Sequence, residues 1–172
     1  MIRSDIYIAL ADAYAQCEEE QEALKCIRLA QEHFLLYPEH DPSFLYADCS
    51  LPVIHQWEGK MYLHLAEHFP AKNYYRKAWN AFDTAANIQL LHDRGISEII
   101  IDQADVAQGM GELPLYVDHL RRGIMSAATL GSQRRYNEAY AVYQKVPKKW
   151  LSEKQFLLLA RDIFGGQLPE SE

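Results

Sequence analysis

The residues with the most chemical potential lie at His64-Leu65-Ala66-Glu67-His68, which matches H-x-x-E-H. Two histidines four residues apart share a helix face and could ligate zinc, with Glu67 as general base. The third protein ligand of such a site is not identifiable further along the chain, and Phe69-Pro70 ends the helix just beyond the motif. The motif therefore reads as polar helix surface. Zinc-dependent hydrolysis at 64–68 is the alternative, and no metal, cofactor or catalytic residue is expected. Cys49 lies near Asp48 and His55, but no third group can be assigned to orient His55, so Cys49 reads as structural. Gly109-x-Gly111 has no strand before it and reads as a turn, not a phosphate loop. Arg121-Arg122 and Arg134-Arg135 are the anion-binding candidates, able to grip a carboxylate by paired hydrogen bonds. The competing reading places these arginines over apolar surface with their heads in water.

The chain around these residues is 172 long and 49% apolar, with 8 Gly and 7 Pro, which suits one domain with a sizeable core. No window of about 18 uncharged apolar residues occurs, so no membrane span is expected. The N-terminal stretch carries Asp5 and Asp12 and lacks a small-residue cleavage site, so it is not a signal peptide. Cys17, Cys26 and Cys49 lack C-x-x-C spacing and read as buried free thiols in a reducing cytoplasm, the expected location. Residues 1–114 hold 8 Lys/Arg against 18 Asp/Glu, a net of −10. Residues 115–161 hold 9 against 3, a net of +6, and the last eleven residues are at −3. An acidic body disfavours direct nucleic-acid binding, whereas the basic part could meet an acidic partner or a second copy.

Periodicity predicts helices throughout. The first runs over about 4–16 with Ile6, Leu10, Ala13 and Tyr14 as its apolar stripe. The second follows Glu18-Glu19-Glu20 and stops before Tyr37-Pro38. Pro38, Pro42 and Pro52 punctuate an irregular connection, with Asp41-Pro42 as a cap, a short turn over 43–48, and Ser50 as the next cap. A helix with Ile54, Trp57, Met61, Leu65 and Phe69 precedes one with Ala78, Phe82 and Ala85. Gly95 is expected to end that pair and Ser97 to begin the third. Gly109 and Gly111 mark a turn, Pro114 opens the next helix, and Gly131 stops it. Gln133–Val146 and a helix from Ser152 to Phe164 complete the fourth pair, with Ser152–Gln155 as a capping box. Residues 99–102, Ile-Ile-Ile-Asp, look strand-like but fit a buried helix.

Small residues recur where antiparallel helices must approach closely. Ala11, Tyr14, Ala23, Ile27 and Ala30 form one helix–turn–helix unit, and Trp57-x-Gly59-x-x-Tyr62 opens a second with about seven extra residues between its halves. Such units bury their apolar faces only by stacking, which predicts an all-α right-handed solenoid of about four antiparallel helix pairs over 1–166, with a frayed tail at 167–172. Counted from Ala11, Gly59 and Ala104, the groove-facing positions are Ile8, Asp12, Gln16, Gln56, Lys60, His64, Ile101, Asp105 and Gln108. Glutamine and charge around apolar residues suit an extended peptide. Tyr136, Tyr140, Tyr143 and Trp150 are expected to form an exposed aromatic patch.

The segments DPSFLYADCSLP, WEGKMYLHLAEHFP and LGSQRRYNEAYAVYQKVPKKW, with the first unit, carry a wider likeness. The chain resembles the tetratricopeptide region found behind an Xre-type helix-turn-helix domain in bacterial regulators. The resemblance implies a signal-sensing or assembly module, commonly a receptor for short peptides. The chain departs from that family in that no DNA-binding domain precedes the first unit, which begins near Met1. A non-catalytic peptide- or protein-binding module is therefore expected. The structural alternative is self-association, with a two-fold dimer setting acidic and basic parts against each other.

Overall fold

The computed structural model describes residues 2–34, 40, 42, 50–88 and 91–169. Among them are eight α-helices and no strand. These are α1 Ile2–Gln16, α2 Glu20–Glu32, α3 Leu51–His68, α4 Tyr74–Asn87, α5 Asp93–Met110, α6 Leu113–Thr129, α7 Gln133–Gln144 and α8 Lys154–Phe164. No helix among the described residues is long and apolar enough to cross a membrane. The chain divides into two compact units, Met1–Leu91 and His92–Glu172, a finer division than one domain over 1–166. The expectations for Tyr37-Pro38, the Asp41-Pro42 cap, the turn over 43–48 and Cys49 lie wholly or partly outside the described residues.

In the first unit α1 packs on α2 and α3, and α3 packs on α4. Ser50 is the N-cap of α3 in extended conformation with Pro52 in the first turn, although its side chain makes no cap bond. Pro70 ends α3 by starting a single 3₁₀ turn, and Asn73 in left-handed conformation (φ 57°) redirects the chain into α4. The α3–α4 crossing is close because Gly59 has no side chain: a Cβ there would lie 2.6 Å from the Phe82 ring. The stripe expected for α1 is corrected. Ile6 and Leu10 are 53% and 38% exposed, while Ser4, Ile8, Ala11 and Ala15 face the core. Apolar residues surround much of α1, so periodicity does not select a face. The small side chains of Ala11 and Ala15 do, because they admit the neighbouring helix.

In the second unit α5 packs on α6 and α7, and α6 packs on α7 and α8. Helix α5 begins at Asp93, so Gly95 lies within its first turn and does not end the preceding pair. His92 supplies the cap: its Nδ1 accepts from the Gly95 amide at 2.9 Å. Ser97, expected as the helix start, is buried inside α5. Gly111 and Gly131 end α5 and α6 with φ of 79° and 58°. Ser132 caps α7 by accepting from the Arg135 amide at 3.4 Å. The capping box at Ser152 does not form, since α8 starts one residue later with Glu153 at the N-cap and no side-chain bond. Tyr143 and Trp150 are buried at 1% and 4% exposure, so the expected aromatic patch reduces to Tyr136 and Tyr140. Tyr143 instead stacks on Phe164 at 3.9 Å between ring centroids and on Phe156 at 5.4 Å. Beyond α8, left-handed Gly165 and Gly166 turn the chain back. There the Tyr143 hydroxyl donates to the Gln167 carbonyl at 2.5 Å, which holds the start of the segment expected to fray.

Candidate functional site

Of the nine groove positions, three are core residues. Ile8, Gln56 and Ile101 are 3%, 8% and 2% exposed. Ile101 fills the α5–α6 crossing, where a Cβ on Gly123 would stand 2.7 Å from its Cγ1. Counting from small anchors misplaced them because the close crossings draw in the adjacent turn as well as the anchor.

In the first unit the remaining positions meet on adjoining faces of α1 and α3. The Asp12 carboxylate uses both oxygens: Oδ1 lies 3.0 Å from His64 Nδ1, and Oδ2 accepts from Gln16 Nε2 at 2.7 Å. Lys60, one turn before His64, sits over the Trp57 ring at 5.3 Å. His68, one turn after, reaches Glu18 at 3.3 Å. The two histidines of H-x-x-E-H thus pair with separate carboxylates of the α1 end, and no group of three or more metal-ligating side chains occurs among the described residues. What results is a half-exposed polar strip of carboxylate, amide, ammonium and imidazole on helical backbone.

The Asp12 hydrogen bond raises the His64 pKa above its ordinary value of 6.5, against the opposing effect of burial. A raised folded-state pKa means the pair stabilises the fold fully below about 6.5 and loses that contribution as pH rises through the raised value. In an NMR titration His64 is expected to titrate above an ordinary histidine, and Asp12→Asn to bring it down. The stability gap between wild type and His64→Asn should narrow as pH rises from below about 6.5 through the raised pKa. A gap that widens over that range would contradict the pairing.

In the second unit Asp105 and Gln108 act on α7. Lys145 Nζ lies 3.6 Å from Asp105, and Gln108 Nε2 donates to the Lys145 carbonyl at 2.7 Å. Each of the four anion-binding candidates has a carboxylate partner within the unit. Arg121 pairs with Asp162 at 3.3 Å, Arg122 with Asp118 at 3.4 Å, and Arg134 with Glu138 at 3.0 Å. Arg135, 9% exposed, bonds Glu98 and Glu138 and ties α5 to α7. Of the thiols, Cys26 is buried, which pushes its pKa up, whereas Cys17 is exposed, against expectation.

Sequence reasoning missed a cavity of about 1070 Å³ at the C-terminal end of α7. It is lined by the residues of 140–148 other than Val142, by Leu151 and by the returning segment 167–169. The available signal was Pro147 between Lys145 and Lys148, which stops a helix beside a cluster of positive charge. No family model matches the chain, and no curated protein or solved structure does either.

Proposed function

We propose that this chain is a non-catalytic peptide- or protein-binding module of tetratricopeptide type, the sensing or assembly part of a bacterial regulatory system. The observation that carries the reading is the strip on α1 and α3, where Asp12, Gln16, Lys60 and His64 lie side by side and partly exposed. Amide, carboxylate and ammonium groups fixed on rigid helices suit recognition of a peptide backbone and its charged side chains. The helix packing adds support: α1 with α2, α3 with α4 and α5 with α6 pack as consecutive pairs, and α1 on α3 and α5 on α7 join first helix to first helix, whereas α8 packs on α6.

The test is affinity capture from lysate of the source organism on immobilised full chain, with mass spectrometry of peptides and proteins. Species held by the wild type should be lost from a Lys60→Ala/His64→Ala variant that retains its helical circular dichroism. Equal capture by both proteins would remove the strip from the function. Light scattering on the same samples separates binding from self-association.

A further inference from the structure

The cavity belongs to the second unit and differs in character from the α1–α3 strip of the first. Its lining includes the apolar residues Val146, Pro147 and Leu151 and the aromatic Tyr140. Two lysines, Lys145 and Lys148, also line it. Lys145 is held in place by Asp105 and by the Gln108 amide on its carbonyl. The chain's own segment Gln167–Pro169 lines it too, and the Gln167 carbonyl accepts from the Tyr143 hydroxyl. That segment shows how this site treats main chain: a tyrosine hydroxyl takes a backbone carbonyl while Leu168 and Pro169 lie against the cavity. The surrounding stretch, 115–161, carries a net charge of +6 in an otherwise acidic chain.

We propose that this cavity binds an extended peptide segment in which an acidic side chain lies next to a large apolar one. The apolar side chain packs between Pro147, Leu151 and Tyr140, and the carboxylate meets Lys145 and Lys148. A volume of about 1070 Å³ is at the upper end of ordinary ligand pockets and holds a few residues of extended chain. Opposite charge brings the ligand to the site, and the apolar contact retains it.

The experiment is selection of random heptapeptides displayed on phage against the full chain. Enriched peptides are then synthesised with fluorescein and titrated by anisotropy. Asp or Glu beside Leu, Ile or Phe should dominate the enriched set. Lys148→Glu reverses an exposed charge without disturbing the core and should weaken binding about tenfold or more. Raising salt from about 0.05 to about 0.5 M should weaken it further. Peptides in which Gln replaces the acidic residue should lose affinity similarly, while the control Arg76→Ala, at an exposed position of α4 outside both sites, leaves all these values unchanged. Three results would each overturn the proposal: no enrichment, enrichment without acidic residues, or affinity indifferent to Lys148→Glu. Dependence on Lys60 and His64 alone would assign the peptides to the strip and refute the cavity.

Discussion

Gly59→Leu is expected to unfold the first unit. A Cβ at this position alone would stand 2.6 Å, 2.6 Å and 2.8 Å from three atoms of the Phe82 ring, which is itself fully buried. No room exists for the further carbons of leucine unless α3 and α4 separate. Overpacking of a dense core costs roughly 1–3 kcal/mol and sometimes more, a large share of the ~5–15 kcal/mol that holds an ordinary domain. Gly59→Ala is the finer probe. Alanine gains about 1 kcal/mol of helix propensity over glycine, which opposes the clash. A net loss of about 1 kcal/mol or more in urea denaturation is expected, with Phe82→Leu restoring part of it in a double-mutant cycle. An alanine variant as stable as wild type would show that the crossing is not held this closely.

The second large effect is expected at Arg135. Its side chain is 11% exposed, and its guanidinium bonds Glu98 of α5, whose side chain is 15% exposed. Removing one partner of a buried pair leaves the other charge in a poorly solvated site. Arg135→Ala should therefore cost about 3 kcal/mol, measured as a lowered urea midpoint for the second unit. Arg135→Lys keeps the charge but not the two-pronged geometry that reaches Glu98 and Glu138 together, so it should recover only part of the loss. Replacing both partners, as Glu98→Leu with Arg135→Met, should be far milder than Arg135→Ala. Equal losses in single and double variants would mean that the pair carries no coupling.

Much of the helical order was legible from local signals, since capping and chain reversal depend on a few neighbouring residues. Pro52 and Pro114 open helices, Phe69-Pro70 closes one, and Gly111 and Gly131 end others with positive φ. Failures came where a weaker competing residue decided the boundary. His92 capped α5 through its imidazole, which moved the start from Ser97 back to Asp93. Ser152 lost its cap because the 3₁₀ turn at Lys148–Trp150 delays the next helix.

The candidate site was legible in part, and the division has a physical cause. Residue type told that Asp12, Gln16, Lys60 and His64 are polar residues at helical spacing, but a helix periodicity specifies a face only when its apolar residues form a single stripe. Helix α1 is apolar on several sides, so packing alone determined that Ile8 is core while Ile6 and Leu10 are exposed. Charge alone could not tell a ligand-binding arginine from one bonded within the fold. Asp118 and Glu138 lie on the arginines' own helices at i,i+3 and i,i+4 spacing, whereas Glu98 and Asp162 were brought up only by the helix packing. What the sequence determined by itself is the all-α class and most helix ends, because these follow from backbone preferences and side-chain type within a few residues. Only the tertiary structure decided which polar groups meet, which stay exposed and where a cavity opens. Those outcomes depend on how closely Gly59, Gly123 and the small alanines let distant helices approach.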